Sequence, residues 1–221
     1  MTKEAYIPHN TKVIAFDWDM TLVDSHGKIL QNQAIAHEFG NQLSIDEVRQ
    51  LWNDSTGFVD LMARLTNGAA FDEVMAVVKR DYNKPDYAKR SFDFVQPTVK
   101  QVRAMGYKTA IISGVQRELL DQDAQNLSIP IHTLFDFVQA QDDCEFKKPD
   151  PRVFDPILEH FGIAANNLLY IGDEEKDYHV AASAGAHFIG VETGMSTAQE
   201  FDTLGAIHTK TIQGVTKHGH I

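Results

Sequence analysis

The chain has 221 residues, 43% of them hydrophobic and 23% charged, which is long enough for a full core and too apolar for a disordered or collagen-like class. A formal net charge of -11 argues against a nucleic-acid partner or an anionic membrane surface, because both demand clustered Lys and Arg. One cysteine, Cys144, cannot make an internal disulfide, and a polar N-terminus with no 18-residue apolar run makes the cytoplasm the expected location.

The first predicted element is Val13–Phe16, an apolar run too short for a helix, which reads as a buried strand delivering Asp17 and Asp19 to its end. Two acids at the carboxyl edge of a sheet can hold a metal and attack a substrate. The same spacing also fits a plain turn with Asp24 or Ser25 as a helix cap. A second Asp-x-Asp, Asp121 and Asp123, follows Leu119-Leu120 in a polar, helix-like stretch and reads as a solvated face. Residues 26–95 carry helical spacing throughout, with Val48, Leu51 and Trp52, then Phe58, Leu61, Met62 and Leu65, then Val74, Val77, Val78 and Tyr82 on single stripes. They are expected to form a helical insertion into a core of residues 1–25 and 96–221. In that insertion Ser55, Thr56 and Gly57 form a polar loop before a helix, fit either to cap it or to meet substrate hydroxyls.

Further along, helices are expected over 98–105, 117–127, 152–161 and 176–184. Strands are expected at 110–112, 135–139, 168–171 and 187–191. Strands alternating with helices imply an α/β fold, a Rossmann-like parallel sheet with helices on both faces. Ser113-Gly114 follows one strand, Gly172-Asp173 ends another, and Lys147-Lys148-Pro149 lies between them.

Four signals in a fixed order, Asp17-x-Asp19-x-Thr21, Ser113-Gly114, Lys148-Pro149 and Gly172-Asp173-x-x-x-Asp177, resemble the haloacid dehalogenase-like hydrolase superfamily over about residues 12 to 192. The resemblance implies a Mg²⁺-dependent phosphatase acting on a small phosphorylated metabolite. It makes Asp17 the nucleophile that carries an aspartyl-phosphate, and Asp19 the general acid and base. Mg²⁺ would be held by Asp17, the Asp19 carbonyl and Asp173, with Asp177, Glu174 or Glu175 bracing it. Ser113 and Gly114 would hold phosphoryl oxygens, Lys148 would neutralise charge, and Thr21 would orient the loop. The helical insertion is similar to the cap of the phosphoglycolate phosphatase and β-phosphoglucomutase branch, so a sugar phosphomutase is the alternative, and a non-catalytic phosphate-binding module a third reading. One departure is Met20, where the family commonly carries glycine, so the loop after the first strand is expected to sit differently. The oligomeric state is not legible.

Overall fold

A computed structural model describes residues 6–55, 57–82 and 84–216. The chain divides into two compact units, Met1–Asp24 with Ser91–Ile221, and Ser25–Arg90. The first unit opens with the fully buried strand β1 (Val13–Phe16) and the two-residue β2 (Val23–Asp24).

The second unit is helical: α1 (His26–Glu38), α2 (Ile45–Asp54), α3 (Phe58–Leu65) and α4 (Phe71–Asp81). Its stripes bury Val48 on α2, Leu61, Met62 and Leu65 on α3, and Val74 on α4. Phe58, at the head of its stripe, is exposed. Helix α1 escapes the apolar periodicity because two of its buried positions are polar, Gln31 and Asn32. Burial there needs a partner, and the Gln31 amide donates to the Val78 carbonyl at 3.0 Å.

The two-residue β3 (Arg90–Ser91) falls at the boundary, and the first unit continues with α5 (Val95–Ala104), β4 (Lys108–Ile112), α6 (Arg117–Asn126), α7 (Ile131–Leu134) and β5 (Phe137–Gln139). They are followed by α8 (Asp155–Phe161), β6 (Leu168–Gly172), α9 (Glu175–Ala184), β7 (His187–Val191), α10 (Ala198–Leu204) and β8 (His208–Thr209). Helix α5 starts three residues before the expected Thr98 because Pro97 falls in its first turn, where a missing N–H leaves no intrahelical bond unmade. Strand β5 starts at Phe137, not Phe135, because the short α7 takes up the chain just before it. Helix α10 and strand β8 were not expected from the sequence.

The strand order is β5-β4-β1-β6-β7-β8, and every pairing in this sheet is parallel. This is the expected α/β, Rossmann-like architecture. Alternate residues of the central strands face opposite sides. Ile14, Phe16, Leu169 and Ile171 join a core with Val95, Val99 and Val102 of α5 and Leu120 of α6. Val13, Ala15, Leu168 and Tyr170 join a second core with Ile157 of α8 and Val180 of α9. Among the described residues, no helix is long and apolar enough to cross a membrane.

The two residues of the comparison pair separate in space. Asp121 is exposed on α6 and accepts from His132 Nε2 at 3.1 Å, whereas Asp123 is buried at 5% exposure. The expectation of one solvated face therefore fails for Asp123, which falls on the side of α6 that also buries Leu120 and Ala124.

Candidate active site

Parallel pairing puts three strand ends side by side. Phe16 lies opposite Ile111 on β4 and Ile171 on β6, so Asp17, Ser113 and Asp173 all emerge at the carboxyl edge. The Asp17 N–H donates to the Ile171 carbonyl at 2.8 Å, which extends the β1–β6 ladder through the acid itself. Asp177 sits in the first turn of α9, and its Oδ2 accepts the Glu174 N–H at 3.2 Å, so one carboxylate serves both as helix cap and as part of the site.

Oxygens of Asp17, Asp173 and Asp177 lie within 4.8 Å of one another, and all three residues are buried. Lys148, from the loop after β5, reaches this cluster with its ammonium. Its Nζ donates to Asp17 Oδ1 at 2.8 Å, to Asp177 Oδ1 at 2.7 Å and to the Tyr170 hydroxyl at 2.9 Å. The Tyr170 hydroxyl in turn donates to the Ile112 carbonyl at 3.3 Å, which ties the lysine to the end of β4.

Burial is the largest influence on these acids. It pushes Asp17 up to about 7 despite the opposing charge of Lys148, with Asp177 adding to the rise. Asp173 is raised well above the usual carboxylate range by burial, then by Glu174, Asp177 and Asp17. Burial also raises Glu174, against the pull of Lys176, whose Nζ lies 2.6 Å from it. Burial pulls Lys148 down, but Asp17 and Asp177 outweigh it and hold the ammonium above its ordinary value. Four buried carboxylates thus face two ammonium groups, Lys148 within the cluster and Lys176 half-buried at its side, and a divalent cation would balance that charge. The donor set is all oxygen, as a hard cation prefers, so the residues present fit such an ion.

A family model for haloacid dehalogenase-like hydrolases matches the chain over residues 14–191. The chain belongs to this family. Among its relatives, a phosphoglycolate phosphatase from Pseudomonas syringae pv. tomato is 27% identical over 196 residues, covering 83% of this chain and 70% of that protein. Pyrophosphatase PpaX from Bacillus mycoides is 23% identical, covering 80% of this chain and 82% of that protein. A solved HAD hydrolase, family IA, variant 3, from Entamoeba histolytica superposes with a TM-score of 0.76 at 17% identity, covering 94% of this chain and 96% of that one, which speaks for the fold.

In this hydrolase the sequence-predicted residues fall into two groups. Asp17, Asp173 and Asp177 gather within 4.8 Å, Lys148 bonds Asp17 and Asp177, and Thr21, fully buried, donates its hydroxyl to Asp173 Oδ1 at 3.2 Å. Asp19 lies in the turn beyond β1, half-buried, and bridges to Val23. Ser113 is buried beyond β4 with its Oγ accepting the Val115 N–H, while Gly114 is exposed with open space where a Cβ would stand. Glu175 points to His179 on the surface, whereas Glu174 is buried. Lys147 is exposed.

Ser55 and Gly57 belong to the helical unit. The Ser55 hydroxyl donates back to the Leu51 carbonyl at the end of α2, and Gly57 is the N-cap position of α3, so Ser55 caps no following helix. Thr56 lies outside the described residues, as does the His218–His220 tail. Four contributors were not anticipated: Tyr170, which bonds Lys148, and three residues of the loop after β7, Thr193, whose hydroxyl donates to the Met20 carbonyl, Gly194, packed against the Asp173 carboxylate, and Met195, whose N–H donates to Asp173 Oδ2. Tyr170 had a signal, a hydroxyl inside an otherwise apolar strand that must find a partner. Gly194 and Met195 act through a missing Cβ and a backbone N–H, which carry none.

Proposed function

We propose that this hydrolase is a Mg²⁺-dependent phosphatase of a small phosphomonoester, working through an aspartyl-phosphate on Asp17. The observation that carries the reading is the Lys148 ammonium set between Asp17 and Asp177 in a buried acidic cluster. Such a cluster is costly to bury and serves no packing purpose; it suits a ligand that is itself charged. Similarity to a phosphoglycolate phosphatase and to a pyrophosphatase supports a small phosphate-bearing substrate.

Asp17 would attack phosphorus while Asp19 gives its proton to the departing oxygen. Asp19 then takes a proton from water, which displaces Asp17 and releases phosphate. Lys148 orients Asp17 and sets positive charge beside the incoming phosphoryl group, and Ser113 with the Gly114 N–H would hold its oxygens. Mg²⁺, held by Asp17, the Asp19 carbonyl and Asp173 and braced by Asp177, would supply the charge neutralisation that lets a carboxylate approach a phosphate dianion. The helical unit, expected over residues 26–95, would act as a cap that excludes water and reads the leaving group, with Ser55 and Gly57 as candidate readers.

Turnover of an aryl phosphate by the purified protein with Mg²⁺ tests this against Asp17→Asn. Wild-type release of phosphate, lost in the variant, is expected. Equal rates in both, or no rate in either across a panel of sugar, nucleotide and short-acid phosphates, would overturn the enzyme reading.

A further inference from the structure

The turn after Asp19 holds a residue in a conformation that its side chain disfavours. Met20 has φ 61, in the left-handed region, and is buried. A glycine visits that region freely, whereas a residue with a Cβ needs surrounding structure to keep it there. The sequence led to the expectation that methionine would make this loop sit differently; the backbone at Met20 adopts a conformation that glycine reaches freely.

The hold comes from the loop after β7. The Thr193 hydroxyl donates to the Met20 carbonyl at 2.6 Å. The next residues run along Asp173: the Met195 N–H donates to Asp173 Oδ2 and the Ser196 N–H to the Asp173 carbonyl, both at 2.9 Å. Between them, a Cβ on Gly194 would stand 2.0 Å from Asp173 Oδ2, so only glycine lets the loop come this close. Thr21, next to Met20, holds the other Asp173 oxygen. Three loops, after β1, β6 and β7, are therefore laced together at the edge that carries the acids.

We propose that Thr193, Gly194 and Met195 form a positioning clamp: Thr193 keeps Met20 left-handed, which sets the Asp19–Met20 peptide and Thr21, while Gly194 and Met195 fix the Asp173 carboxylate for cation binding. Without the Thr193 hydroxyl, Met20 relaxes toward ordinary backbone angles and carries the Asp19 carbonyl and the Thr21 hydroxyl with it. The cation half of this inference rests on the phosphatase reading; the conformational half does not.

A double-mutant cycle of Thr193→Val and Met20→Gly, read by urea unfolding in chelator, tests the conformational half. Because Met20 recovers strain energy when it relaxes, Thr193→Val should raise the unfolding constant about tenfold in the Met20→Gly background, where the hydrogen bond is lost with no strain to release, and less than about threefold beside Met20. Equal effects in the two backgrounds would overturn it. For the cation half, calorimetric Mg²⁺ titration without substrate should show affinity weakened about fivefold or more by Thr193→Val and restored to within about twofold by Thr193→Ser. With aryl phosphate at saturating Mg²⁺, kcat should fall while KM holds. Wild-type Mg²⁺ affinity in Thr193→Val, or no rescue by serine, would overturn the positioning role. Absence of turnover by the wild-type protein would instead count against the phosphatase reading, since the unfolding cycle and the metal titration need no substrate.

Discussion

Asp17→Asn should change how stability depends on pH, beyond any effect on turnover. In the folded, metal-free protein Asp17 titrates at about 7 against 3.8 ordinarily. Between those values the folded protein holds a proton that the unfolded chain has released, so stability falls as pH rises through this window. The gap of about three pH units, at about 1.4 kcal/mol each, makes the Asp17 contribution about 4 kcal/mol, of which about 2–3 kcal/mol accrues between pH 5 and pH 8. Asparagine keeps the shape and removes the titration. Urea unfolding in chelator should therefore show wild type losing about 2–3 kcal/mol more than Asp17→Asn across that range, with the variant the more stable at pH 8. Added Mg²⁺ should recover wild-type stability at pH 8 by about 2.7 kcal/mol at a hundredfold excess over its Kd. Parallel pH profiles for the two proteins would refute the claim that burial, more than Lys148, governs this carboxyl.

Lys148→Met should destabilise the chelated protein at pH 8 by about 3–5 kcal/mol, because Asp17 and Asp177 lose their shared cation in a buried space. The penalty should shrink toward pH 5 as Asp17 takes up its proton, and denaturant titration at both pH values measures it. Gly172→Ala places a Cβ 2.4 Å from Asp177 Oδ2, so melting temperature and Mg²⁺ affinity should fall together, with a stability loss of about 1–3 kcal/mol. Asp121→Asn is the control: its pairs with Arg117 and His132 are surface pairs, so stability should change by less than about 1 kcal/mol and aryl-phosphate turnover should not change.

The legibility of the fold tracks how strictly a segment obeys one periodicity. β1 and β6 are short apolar runs with punctuation on both sides, so their bounds are readable within a residue, and α2, α3 and α4 are readable as apolar stripes. α1 is not, because Gln31 and Asn32 occupy buried positions, and the Gln31 amide finds its partner at the Val78 carbonyl, far along the chain. Asp123 misleads because it falls on the side of α6 that also buries Leu120 and Ala124. A burial pattern that includes polar groups is decided by partners distant in sequence, and no local window holds that information.

The acidic site divides along a similar line. The order of Asp17, Ser113, Lys148, Asp173 and Asp177 along strand ends was written in the sequence, since apolar runs ending in polar residues determine what reaches the sheet edge. What only the tertiary structure decided is how those groups meet. Lys148 spans Asp17 and Asp177 because β1 and β6 are neighbours in the sheet. Asp173 is gripped by a glycine and a backbone N–H of the loop after β7. Met20 keeps a glycine-like backbone because a threonine 173 residues away accepts the task of holding its carbonyl. Side-chain type is a local property that sequence states outright, whereas close approach, backbone donors and restrained strain depend on packing across strands, and they exist only once the chain has folded.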